Sequence, residues 1–139
     1  MIVGLSIFIY YNAERKEPEL LAEIILTNWD VPEYHFQVYS NNQMIVTKIP
    51  YHEPQTSDTV RLSNNVTKKI IKITQEALEV EETYFATGIL SAFIAMGENN
   101  KTYSPPYIKG GPSEELFSIL LEYSPIEVVD SKGDRIFQI

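Results

Sequence analysis

The sequence of 139 residues contains no cysteine. Disulfide bonds, thiolate zinc sites, iron–sulfur clusters and cysteine nucleophiles are therefore excluded together. No run approaches the roughly 18 apolar residues that a membrane-spanning helix needs. The apolar start, residues 2–11, has neither a basic leader nor a small-residue cleavage site. We therefore expect a buried strand there rather than a signal peptide, and a cytoplasmic protein.

Sequence motifs of known enzyme classes are also missing. The chain has no G-x-S-x-G, H-E-x-x-H, Walker or dinucleotide-binding fingerprint. Its only two histidines are His35 and His52, and they lie close in sequence to Glu33 and Glu53. A metal or acid–base site would be geometrically feasible there. Because no third ligand is specified, we expect the two histidines not to share a metal, and we predict no cofactor.

Basic residues are scarce in the second half of the chain. The whole sequence has 19 acidic and 11 basic side chains, and a net charge of −8. Residues 76–139 hold 11 of the acidic and 4 of the basic side chains, a net charge of −7. Such a field repels phosphate backbones and anionic membranes and attracts cationic surfaces. We therefore expect no binding to nucleic acid or membrane, and a basic protein as the partner.

Periodicity in the first half predicts a strand, a helix and a hairpin. After residues 2–11, Pro18 is expected to open a helix reaching about Asn28, with one apolar stripe. The residues of that stripe are Leu20, Leu21, Ile24 and Ile25. Alternating runs on both sides of Asn41-Asn42 predict a tight hairpin over residues 34–49, in the same sheet as residues 2–11. Residues 50–58 are expected to be loop, and residues 59–62 a short strand.

The second half predicts two more helices. Asn64 or Asn65 is expected to cap a helix that ends near Val80. Residues 84–96 carry both helical and strand-like signals, with strand favoured. Residues 97–112 contain three glycines and three prolines, which predicts a loop. Ser113 is expected to cap a helix that ends near Tyr123, and residues 126–139 to form a closing hairpin.

Together these elements predict one α+β domain over residues 1–139, an antiparallel sheet with helices on one face. The order strand, helix, strand, strand occurs in residues 2–49 and again in residues 84–139. A duplicated βαββ unit is one interpretation of that pattern. A ferredoxin-like core of order βαββαβ is another, and chance similarity is the third.

Two segments have features of anion-binding sites. Gly110-Gly111-Pro112-Ser113 precedes a helix, as anion sites do, although Glu114 and Glu115 would compete for the same helix dipole. In the helix over 64–80, lysines occupy the first half, where they oppose the dipole. The alternative anion site predicted from this cluster consists of Arg61, Lys68, Lys69 and Lys72. The plainer interpretation is a solvated helix face.

We predict a non-catalytic binding protein or inhibitor that neutralises a basic partner through an acidic face. In size and charge alone it resembles immunity proteins and phage-encoded inhibitors. Tyrosines in the proline-rich loop offer contact area with little entropy to lose. The candidate contacts are Tyr103, Tyr107, Lys109, Glu114, Glu115, Glu122, Glu127, Asp130 and Asp134. The alternative is a small-molecule binder or minor enzyme with a pocket near residues 97–112, and homo-oligomerisation is left open.

Overall fold

The computed structural model of the protein describes residues 17–28, 31–80, 91–103, 111–129 and 133. Within these residues the chain forms a six-stranded antiparallel sheet and two helices, which confirms the predicted α+β class. The strands are β1 (Leu20–Asn28), β2 (Val31–Tyr39), β3 (Gln43–Ile49), β4 (Thr56–Arg61), β5 (Ser91–Met96) and β6 (Asn99–Tyr103). The helices are α1 (Asn64–Glu79) and α2 (Pro112–Tyr123).

The strands lie in the order β4-β3-β2-β1-β5-β6, and every neighbouring pair is antiparallel. At the centre, Ile24 of β1 lies opposite Phe36 of β2 and Ile94 of β5. Because side chains alternate along a strand, these residues share one face of the sheet. The other buried side chains of this core face are Ala22, Leu26, Tyr34, Val38, Met44, Val46 and Ala92.

Both helices cover the core face, because their buried side chains belong to the same cluster as the strands'. The prediction that the helices lie on one face of the sheet is therefore confirmed. Helix α1 buries Thr67, Ile70, Ile73, Thr74 and Ala77. Its N-cap is Ser63, whose Oγ accepts a hydrogen bond from the Val66 amide at 3.1 Å. The prediction of Asn64 or Asn65 as the cap is wrong, because both already lie within the helix.

The predicted helix over residues 18–28 is wrong, because β1 occupies Leu20–Asn28. Ala22, Ile24 and Leu26 are buried in alternation with half-buried neighbours, which is the period of a strand. Pairing with β2 on one side and β5 on the other outweighs the helical spacing. Since both the duplicated βαββ unit and the ferredoxin-like order require that helix, neither describes the fold.

The hairpin at Asn41-Asn42 is confirmed. Strands β2 and β3 flank it, and Asn42 adopts the left-handed φ of 65° that such a turn requires. The Asn41 side chain accepts a hydrogen bond from the Gln43 amide at 3.2 Å. The predicted short strand is also present but starts earlier, at Thr56. Residues 2–11, expected in the same sheet, lie outside the described residues.

Residues 84–96 were predicted to favour a strand, and β5 confirms this for Ser91–Met96. Residues 84–90 lie outside the described residues. The loop expected over 97–112 is wrong at its start, where β6 pairs with β5 after a turn at Gly97, whose φ is 59°. Helix α2 has the expected extent, but its N-cap is Gly111 and Ser113 is buried inside the first turn. Within the hairpin predicted over 126–139, residues 126–128 form no strand and Val129 forms an isolated β-bridge; residues 130–132 and 134–139 lie outside the described residues.

Among the described residues, no helix combines the length and the apolar character needed to cross a bilayer.

Candidate functional site

Helix α2 turns its apolar side chains inward and acidic ones outward. Its buried residues are Ser113, Leu116, Phe117, Ile119 and Leu120. Glu115 and Glu122 lie two turns apart on the exposed side, and Tyr123 at the end of the helix is 37% exposed. The helix carries three glutamates and no basic residue. Its solvent-facing side is therefore negative, with an aromatic ring at one end.

The position of Glu122 is unfavourable for the helix itself. Glu114 and Glu115 lie in the first turn, where the positive end of the helix dipole favours carboxylates. Glu122 lies in the last turn, where the same dipole disfavours a negative charge and where α2 itself has no basic residue. Such a placement typically costs about 0.3–1 kcal/mol in helix stability. Helix formation does not explain this glutamate.

The chain after α2 is tied to the sheet by the buried Tyr34. The Tyr34 hydroxyl donates a hydrogen bond to the Val129 carbonyl and accepts one from the Val129 amide, both at 3.1 Å. Exposed Glu127 lies two residues before this anchor and four residues after the end of α2. We call Glu114, Glu115, Glu122, Tyr123 and Glu127 the acidic segment.

Four of the predicted partner contacts thus lie in the acidic segment, and the structure adds Tyr123, which sequence reasoning missed. The sequence signal that could have identified Tyr123 is a tyrosine directly after a glutamate at the predicted end of a helix. Tyr103 ends β6, and only its backbone is described. The remaining predicted contacts lie outside the described residues and stay predictions. They are Tyr107, Lys109, Asp130 and Asp134.

The predicted residues of the alternative anion site lie on two elements, α1 and β4. Lys68, Lys69 and Lys72 are exposed on α1, which has no acidic residue in its first turn and no basic residue in its last. Arg61 ends β4 beside Val60, which packs against the core. Alternation along the strand therefore places Arg61 on the opposite face of the sheet. The three lysines therefore lie on α1, and Arg61 lies on the face of the sheet turned away from the helices.

The face of the sheet turned away from the helices carries hydrogen-bonded polar side chains. His35 Nε2 lies 2.7 Å from Glu33 Oε1, and the His35 side chain is 24% exposed. On the same face, Gln37 donates a hydrogen bond to Glu23 Oε2 at 2.8 Å. His52 is separate: it follows β3, and its ring packs edge-on against Tyr51. Within the described ranges, no group of three or more histidine, aspartate and glutamate side chains could hold a metal.

A groove of about 460 Å³ lies where the end of α1 meets the start of β1 and the turn between β5 and β6. Its lining residues are Glu19, Leu20, Leu21, Gln75, Leu78, Glu79, Met96, Gly97 and Asn99. The backbone of Glu19 is held by Ser40 through two hydrogen bonds, of 2.8 and 2.9 Å. The groove thus borders residues 97–112, the region in which the alternative prediction placed a pocket.

Comparison with known proteins gives no assignment. The sequence matches no protein-family model, and no curated protein shows significant similarity to it. Function is therefore inferred from the residues of this chain.

Proposed function

We propose that this protein is a non-catalytic binding protein that neutralises a basic protein partner through the acidic segment. The observation that carries the proposal is the exposed side of α2, where Glu115, Glu122 and Tyr123 lie together. Glu122 opposes the helix dipole, and α2 carries no basic residue in its last turn, so helix formation does not account for its charge and a contact with a cationic partner would. The cytoplasmic location expected from the sequence is part of the proposal.

Charge and the exposed tyrosine would act on different steps of binding. The described residues include 13 acidic and 6 basic side chains, so the field around them attracts cations. Electrostatic steering raises the association rate and makes it dependent on salt. A large aromatic side chain buried at an interface mainly slows dissociation. We therefore assign steering to the glutamates of the acidic segment and anchoring to Tyr123.

The test compares two charge reversals of equal size at different places. The partner is isolated by affinity capture from the native host, identified, and purified for rate measurements by biolayer interferometry. We expect Glu115→Lys/Glu122→Lys to lower the association rate at low salt by about tenfold or more, since steering contributes that much. The control variant Glu53→Lys/Asp58→Lys changes exposed residues elsewhere and should have a much smaller effect.

Equal losses in the two double variants would show that only net charge matters, and the proposal would fail. An unchanged rate in both, or a captured partner that is acidic, would also contradict it. Tyr123→Ala should increase the dissociation rate and leave the association rate nearly unchanged. If Tyr123→Ala alters neither rate, the anchoring role is wrong.

A second candidate function is the binding of a small molecule, which the groove beside Gly97 and Asn99 favours. Its volume falls in the range of about 300–1,000 Å³ that is usual for small-molecule sites. Native mass spectrometry of the protein purified from its host separates the two candidates. A bound mass adduct that the variant Leu78→Trp excludes would support the small molecule.

A further inference from the structure

The groove joins apolar and acidic side chains from separate parts of the chain. Its apolar lining comes from β1, α1 and β5, and its two carboxylates are Glu19 before β1 and Glu79 at the end of α1. Leu20 is 41% exposed, so this apolar surface is open to solvent. A ligand that matches the groove therefore needs both an aliphatic portion and a positive charge.

The charge of the groove is negative. Glu19 and Glu79 are both exposed, and the described residues that line the groove include no basic side chain. Glu79 ends α1, where the helix dipole adds partial negative charge. The Lys101 ammonium group donates a hydrogen bond to the Val80 carbonyl just past that end, which offsets part of this field. Two carboxylates and the helix end still leave an excess of negative charge.

We propose that the groove binds an arginine side chain of the basic partner. The aliphatic stem of arginine would pack on the leucine and methionine side chains, as long cationic side chains do on apolar surfaces. The guanidinium group would approach Glu19 and Glu79, and its planar set of donors suits carboxylates better than a lysine ammonium does. Gln75 and Asn99 supply further acceptors at the same groove.

This inference rests on the proposed function, because it takes the partner to be a basic protein. It concerns a different surface, however, since no residue of the acidic segment lines the groove. The two proposals can therefore fail separately. If the groove does not bind arginine, steering by the acidic segment is unaffected. If the acidic segment does not steer the partner, the groove can still bind the arginine peptide.

The experiment uses two peptides that differ in one charge, acetyl-Gly-Arg-Gly-amide and the same peptide with citrulline. Each is titrated into the full chain and followed by two-dimensional amide NMR. We expect saturable shifts for the amides of Leu20, Leu78 and Asn99 with the arginine peptide. The citrulline peptide, whose urea group is neutral and similar in shape, should bind at least about fivefold more weakly.

Variants inside and outside the groove show where the arginine peptide binds. Glu19→Gln/Glu79→Gln should weaken binding of the arginine peptide at least about fivefold. Glu76→Gln, which removes one charge from the same helix outside the groove, should leave it nearly unchanged. Equal affinity for the two peptides, shifts that do not saturate, or equal binding by the double variant and wild type would each overturn the proposal. Circular dichroism should show the same fold for all variants, because Glu19 and Glu79 are exposed and Glu76 is only half-buried.

Discussion

The Tyr34 hydroxyl is the most informative single group to remove. Its ring is fully buried between the sheet and the helices, and its hydroxyl bonds both the amide and the carbonyl of Val129. The substitution Tyr34→Phe keeps the ring and deletes only these two hydrogen bonds. The change therefore measures how firmly the end of the acidic segment is held to the sheet.

The magnitude follows from the two lost bonds. Each buried hydrogen bond contributes about 0.5–1.5 kcal/mol net, and an unsatisfied backbone group left behind adds to the loss. Val129 is half-buried, so water can partly replace the hydroxyl. We expect Tyr34→Phe to lower the free energy of unfolding by about 2 kcal/mol. For a chain of this size that corresponds to a decrease in Tm of about 6–8 °C.

The assay is urea denaturation together with hydrogen exchange of the Val129 amide, which should exchange faster in Tyr34→Phe. The matched control is Tyr39→Phe, whose hydroxyl makes a single longer contact of 3.4 Å to Gln37 on the half-exposed face. That control should change stability by less than about 0.5 kcal/mol. Equal stability of the two variants, with unchanged Val129 exchange, would refute the reasoning.

Substitutions at three further positions test the fold by urea denaturation. Ser63→Ala should cost about 1 kcal/mol because it removes the cap of α1, whereas Ser63→Asp should be nearly neutral. Gly97→Ala should cost about 1–2 kcal/mol through its positive φ, because no described residue beyond its two chain neighbours lies within 4 Å of the added Cβ. Gly97→Asn should cost less, because asparagine tolerates this conformation. Phe36→Ala should cost about 3–5 kcal/mol, since Phe36 is fully buried at the centre of the sheet.

The hairpin and the two helices were predictable because their signals are local. Alternation on both sides of Asn41-Asn42 fixes the strand period, and asparagine tolerates the left-handed conformation of the turn. Helix α1 has apolar residues at helical spacing over 16 residues, long enough to distinguish helix from strand. In both cases the local preference and the tertiary packing agree.

Strands β1 and β6 were mispredicted because their structure depends on neighbours that are distant in sequence. The apolar residues of β1 fit both periods, and its pairing with β2 and β5 decides between them. Strand β6 is polar, with exposed Asn99 and Asn100, so it has no hydrophobic alternation to detect. The turn at Gly97 brings it alongside β5, and backbone hydrogen bonds make it a strand.

The charge of the candidate site could be predicted from the sequence, whereas its geometry could not. The excess of acidic residues in the second half was enough to propose Glu114, Glu115, Glu122 and Glu127 as candidates without any structure. The groove could not be found in this way, because Glu19, Glu79 and Met96 are brought together only by the packing of α1 against the sheet. The contact between Glu33 and His35, by contrast, could be predicted, because the two residues are two apart in one strand and alternation places both on the same face.

The most direct test of the acidic segment is the salt dependence of its association rate with the purified partner. Between about 10 mM and 150 mM ionic strength the Debye length falls from about 30 Å to 8 Å, which screens steering. We predict that the rate of the wild-type protein falls steeply over this range and that the slope is much smaller for Glu115→Lys/Glu122→Lys. Equal slopes for that variant and the wild-type protein would contradict the assignment of binding to the acidic segment.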